Sequence, residues 1–172
     1  RDSMFQGCTS LVTPPVLSAT TLADSCYYGM FDGCTSLATA PALPATTLAS
    51  SCYNGMFNGC TSLTTAPSLP ATTLVDECYS GMFAGCTSLA TAPALPAPTL
   101  IDGEGADTYY CYFEMFKGCT SLTNAPVLPA AYLTYGCYES MFSGCTNLSG
   151  ITCLATDISA YNCTTNWVDG DL

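Results

Sequence analysis

The chain has no histidine and only two basic residues, Arg1 and Lys117, against thirteen acidic ones, a formal net charge of −11 over 172 residues. Binding a phosphate backbone or an anionic lipid surface requires clustered lysine and arginine, so nucleic acid and membrane surfaces are excluded as partners. Without histidine, an acyl-transfer triad would need a lysine or carboxylate base. Lys117 lies in a column that changes from copy to copy, and Asp76 and Glu77 are adjacent rather than facing, so no catalytic activity is expected. No Cys-x-x-Cys redox motif occurs. No run approaches the roughly 18 apolar residues of a membrane span, and no basic stretch followed by an apolar one marks a signal peptide. Only 9% of the residues are charged.

Cysteine, by contrast, is abundant, with thirteen residues. That usage points to an oxidising compartment outside the cytosol. The cysteines also reveal a repeat. One series is Cys8, Cys34, Cys60, Cys86, Cys119 and Cys145, the other Cys26, Cys52, Cys78, Cys111, Cys137 and Cys163. Each series advances in steps of 26, except for one step of 33 that reflects an insertion at 101–107. Met4 corresponds to Met30, so the chain is expected to begin inside a repeat.

One unit reads CYNGMFNGCTSLTTAPSLPATTLVDE, residues 52–77. Cys, Tyr, Met, Phe, Gly, Cys, Thr, Leu and Pro hold their places between copies. The columns 28/54/80/113/139 and 32/58/84/117/143 drift and therefore belong to the surface. Cys52, Met56, Phe57 and Cys60 fall on one face of a short helix, and Gly59 stands where a left-handed stop would end it. The segment TSLTTAP reads as a short β-strand closed by proline. The expected fold is an α/β solenoid of about six stacked coils, each a strand, a Pro-bounded turn and a short helix. Stacking joins the apolar positions of successive coils into continuous columns. The solenoid spans 1–148. The segment 149–172 abandons the Met-Phe-Gly-Cys pattern and carries the single tryptophan, Trp167, as an atypical repeat or a capping or junction segment.

The cysteine spacing fits metal poorly, because zinc and iron–sulfur ligands cluster within a few residues. Structural roles remain, either as disulfides or as buried thiols stacked in columns. Pairing by eights would join Cys26–Cys34, Cys52–Cys60, Cys78–Cys86, Cys111–Cys119, Cys137–Cys145 and Cys153–Cys163. Pairing by eighteens would join Cys8–Cys26, Cys34–Cys52 and their successors. A fully helical 52–60 would hold its two cysteines ~12 Å apart, beyond the ~7 Å that a disulfide allows. Pairing by eights therefore needs a bend at Gly59.

The insertion, in the stretch IDGEGADTYY, carries Asp102, Glu104 and Asp107. These could offer oxygen ligands to calcium, although the EF-hand pattern is absent. With Tyr109 and Tyr110 they form a possible contact loop on a rigid scaffold. The tyrosine column 27/53/79/112/138 is expected to stack along the solenoid with its ring edges near solvent.

The motif MFxGCTSL followed by APxLP resembles the BspA-like leucine-rich repeats of bacterial surface proteins, over residues 1–148. The resemblance implies a secreted or surface-exposed, non-enzymatic protein without cofactors that adheres to proteins or other cells. The expected function is a cell-surface adhesion or binding module whose partner is a protein or glycan on another surface. The alternative is a structural subunit of an extracellular filament, self-associating end to end through open solenoid ends.

Overall fold

The computed structural model describes residues 3–101 and 105–168. These residues wind into a solenoid, but among them no helix forms and β-pairing is limited to isolated bridges. The strand–turn–helix coil expected from the sequence is therefore replaced by another local structure.

Each coil is built on a ribbon of consecutive tight turns, found at 24–33, 50–59, 76–85, 111–118, 135–144 and 161–166, with a shorter one at 3–7. In the ribbon 50–59 the backbone N–H groups alternate between two kinds of partner. Cys52, Asn54, Met56 and Asn58 donate to the carbonyl three residues back, at 3.0–3.2 Å. Ser51, Tyr53, Gly55, Phe57 and Gly59 donate forward to the next coil, onto the carbonyls of Asp76, Cys78, Ser80, Met82 and Ala84, at 2.7–3.1 Å. Every donor of the ribbon is satisfied by this alternation, as a buried backbone requires.

The reason no helix forms is visible in the dihedrals. Ser51, Gly55 and Gly59, four apart, have φ of 53°, 61° and 68°. A left-handed residue reverses the rotation of the chain, so the right-handed winding of a helix cannot propagate through it. The apolar residues Cys52, Met56 and Cys60 recur at four, the ribbon's own period, rather than at the helical 3.6. Gly59 does adopt the left-handed conformation expected of it, as the third member of this series instead of as a helix stop. Among the described residues nine other than glycine have positive φ, including Ser25, Glu77 and Glu114. Such a conformation costs about 1 kcal/mol each, and the inter-coil bonds on either side hold it in place.

The two glycine columns differ in what stands beside them. A Cβ on Gly59 would lie 3.7 Å from the backbone of Gly33 in the preceding coil, whereas one on Gly55 would meet nothing within 4 Å. The first column is glycine in every copy, and the second changes to Glu114 and Ser140.

The strand expected in TSLTTAP is reduced to single parallel bridges, Thr39 with Thr65 and Thr91 with Asn124, while a further one, Thr21 with Thr47, lies just before the turn ribbons. Pro67 and Pro70 remove two donors from the segment that follows, so a ladder cannot lengthen there. That segment is nevertheless extended. Pro67, Leu69 and Ala71 point inward while Ser68 and Pro70 are exposed, the period of two of an extended chain.

Each full coil sends nine side chains inward. In one coil these are Leu63, Leu69, Ala71, Leu74, Cys78, Tyr79, Met82, Phe83 and Cys86, none more than 3% exposed. Because the copies are in register, equal side chains stack. Phe31, Phe57, Phe83, Phe116 and Phe142 form a ladder with ring centroids 5.6–5.7 Å apart and nearly parallel planes. The tyrosines 53, 79, 112 and 138 form a second ladder at 5.8–5.9 Å. They are fully buried, at 0–2% exposure, and do not bring their ring edges to solvent as expected. A half-buried ribbon would show them; this one is covered on both sides by adjoining coils.

The insertion leaves the stack undisturbed. Ile101 and Asp107 pair in an antiparallel bridge at its base, and Thr108 donates to the Leu100 carbonyl through both its N–H and its hydroxyl, each at 3.0 Å. Across this pinch the ladder resumes, with Tyr79 N–H on the Cys111 carbonyl at 3.0 Å. The ladder also runs into the C-terminal segment, where Tyr138, Ser140 and Phe142 donate to the carbonyls of Cys163, Thr165 and Trp167. Trp167 sits in the methionine column and packs partly against the core.

Candidate binding surface

Ten of the thirteen cysteines are buried in the interior, Cys26 and Cys153 are half-buried and Cys8 is exposed. Among the described residues no disulfide joins any of the thirteen, so neither the pairing by eights nor that by eighteens is formed. Cys52 and Cys60 occupy opposite ends of a turn ribbon, with Met56 between them. The cysteines of the two series instead lie beside their copies in adjoining coils, as Cys78 does beside Cys52 and Cys60 beside Cys34. In the second column the thiol proton has a partner of its own. Cys34, Cys60, Cys86, Cys119 and Cys145 donate to the carbonyls of Phe5, Phe31, Phe57, Phe83 and Phe116, at 3.0–3.1 Å. Burial pushes the thiols of Cys52, Cys60 and Cys137 from 9.0 up to about 12. The thiolate is the species that attacks a disulfide, so these groups are unreactive at neutral pH.

Of the proposed calcium ligands, Asp102 and Glu104 lie outside the described residues. Asp107 closes the base of the insertion against Ile101. Among the described residues no three His, Cys, Asp or Glu side chains converge as metal ligands do.

The drifting columns gather on one face. Side chains from six successive coils, among them Gln6, Asp32, Asn54, Glu77, Phe113 and Glu139, line a shallow trough of about 660 Å³ that crosses the coils. Two of its carboxylates, Asp32 and Glu77, are tied by bonds between coils. Gln6 donates to Asp32 at 2.7 Å, and Ser51 and Asn54 each donate to Glu77 Oε2 at 3.1 Å. Lys117 reaches Glu114 at 2.6 Å.

At one edge of the trough the column 24/50/76/109/135/161 changes character. It reads Asp, Ser, Asp in the first coils and Tyr, Tyr, Tyr in the later ones. In the first stretch Asp24 accepts the Ser50 N–H at 3.1 Å and Asp76 the Tyr109 N–H at 2.9 Å. In the second, Tyr135 and Tyr161 stack at 5.5 Å. Tyr135 is also met edge-on by Tyr109 at 6.1 Å and by Tyr110 at 5.1 Å. The hydrogen bond between Tyr110 and Tyr135, with some burial, pushes the Tyr110 hydroxyl up to about 12. The contact loop expected from sequence thus contributes Tyr109 and Tyr110 to a larger cluster. Tyr135, Tyr161 and Phe113 complete it, and Asp76 and Glu77 border it. Alignment of the copies at that one column would have revealed it.

No protein-family model matches the chain, and no curated protein matches it. Among solved structures, the chain is similar to a leucine rich cell surface protein from Faecalibacterium prausnitzii A2-165, with 21% identity and a TM-score of 0.49 over 94% of this chain. The match takes up 35% of that protein, so the chain spans about a third of its length.

Proposed function

We propose that the chain is a non-enzymatic binding module of a BspA-like leucine-rich-repeat protein displayed outside the cell, which holds a protein or glycan of another surface in its trough. One observation carries this reading. The inward side chains are constant from coil to coil, whereas the changing column 28/54/80/113/139, with Asp32, Asn58 and Ala84 of a second changing column, lines one trough that runs across the coils. Recognition surfaces on repeat proteins are built from such changing positions on a constant scaffold. The test is to immobilise the chain and probe it with arrays of extracellular proteins and glycans. Saturable binding by monodisperse monomers, lost in Asn54→Arg together with Asn58→Arg, is the expected result.

A second reading draws on the forward-running ladder. The outer face of any coil at the edge of such a stack presents unpaired donors or acceptors, which another copy could meet end to end in a filament. Negative-stain images of regular fibres, with no saturable ligand on the arrays, would favour that structural role.

A further inference from the structure

Asp76, Glu77, Tyr109, Tyr110 and Tyr135 line a shallow, open recess of about 410 Å³ at the edge of the trough. The two cavities share Glu77 and Tyr110, so whatever enters the recess can continue along the trough. Three features make the recess a built site and not a gap between side chains. Its rings are set at fixed angles, Tyr110 at 86° and Tyr109 at 80° to Tyr135. Its carboxylates are anchored, Asp76 through Oδ1 on the Tyr109 N–H and Glu77 through Oε2 on Ser51 and Asn54. The Tyr110 ring packs against Gly136, closely enough that an added Cβ there would collide with it.

We propose that this recess receives the guanidinium of an arginine carried by an extended basic peptide, whose remaining residues lie along the acidic trough. The proposal rests on the reading of the chain as a binding module. Aromatic faces attract organic cations through the ring quadrupole, and a planar guanidinium can stack on one ring while pairing with a carboxylate, which an ammonium cannot do. Charge favours the same occupant. The trough carries Asp32, Glu114 and Glu139 beyond the recess, on a chain of net charge −11. An isolated quaternary ammonium would fill the recess but leave those carboxylates unmatched.

The test is calorimetric titration of the chain with eight-residue peptides of alternating glycine and arginine, glycine and lysine, or glycine and glutamate, and with choline. The arginine peptide should bind about tenfold more tightly than the lysine peptide, weaken as salt is raised, and leave the glutamate peptide and choline unbound. Glu77→Gln, which keeps the acceptor for Ser51 and Asn54, and Tyr135→Ala should each weaken the arginine peptide by about tenfold. Asp24→Asn, in the corresponding position of an early coil whose corner carries no tyrosine, should leave it unchanged. Thermal melts of the variants verify that they remain folded. Equal binding of both basic peptides, indifferent to Tyr135→Ala, would reduce the effect to net charge and overturn the proposal. Choline bound in preference to peptide, or no peptide bound at all, would overturn it too. Should Glu77→Gln and Tyr135→Ala still hold a ligand found on the arrays, the recess is refuted while the binding module stands. Fibres without any ligand would refute the module itself.

Discussion

The same corner of the solenoid is built twice, in two chemistries. In the early coils it is Asp24, Ser50 and Asp76, whose carboxylates each accept an amide N–H of the next coil, Asp24 from Ser50 and Asp76 from Tyr109. In the later ones it is Tyr109, Tyr135 and Tyr161, joined by ring contacts. Beneath both, the ladders of phenylalanine, tyrosine and cysteine continue without change. The difference shows that the interior sets the coil and leaves the corner free to vary, so that recognition chemistry can be changed without redesign of the fold.

Alkali offers the widest test of that shared interior. Buried thiols and phenols are held protonated by desolvation, with Cys52, Cys60 and Cys137 at about 12 and the buried tyrosines raised as well. In the unfolded chain the thiols titrate near 9.0. Above that pH the folded state binds more protons than the unfolded one, so stability is complete below pH 9 and falls as pH rises toward 12. Each buried thiol contributes a loss of up to ~1.4 kcal/mol per pH unit in that window. Circular dichroism under a reductant should show one unfolding transition, and two would mean that the early and late coils do not share one interior. Next in size, Phe57→Ala and Phe116→Ala, one beneath each form of the corner, should each cost about 3–5 kcal/mol in urea denaturation. Unequal losses would break the equivalence.

Two glycines sharpen the contrast. Gly55 and Gly136 have φ of 61° and 58°, but the first faces open space and the second the Tyr110 ring. Gly55→Ala should cost about 1 kcal/mol, the price of a left-handed alanine. Gly136→Ala adds displacement of the ring and should cost more, with a change in near-ultraviolet dichroism from the tyrosines. The smallest effect is expected for Ser50→Tyr, which extends the tyrosine corner into an early coil. Because the site is on the surface, its stability should stay within about 0.5 kcal/mol of the parent.

The repeat, its insertion and the inward columns were legible in the sequence, because a fixed period reports directly which residues share an environment. The local backbone was not. Period says that Ser51, Glu77 and Tyr110 are equivalent, but nothing about serine, glutamate or tyrosine announces a positive φ, and the apolar spacing of four was close enough to 3.6 to suggest a helix. Pairing the cysteines along the chain by eights or eighteens overlooked that each residue's neighbour in a stack lies 26 away. The recess escaped for a related reason. In the sequence Asp76 and Glu77 are merely adjacent carboxylates, and only the winding of the coils brings them against Tyr109, Tyr110 and Tyr135.

The alternation of donors along the turn ribbon has an electrical consequence. All five inter-coil amides of the ribbon 50–59 point toward the following coil, as do those of the ribbon 76–85, which bond to the carbonyls of Tyr109, Cys111, Phe113, Met115 and Lys117. Peptide dipoles aligned head to tail add. The ribbon side of the solenoid is therefore a vector, positive toward later coils and negative toward earlier ones, the opposite sense to an α-helix. Copies of such a stack attract one another when aligned in series and repel when set face to face with like ends.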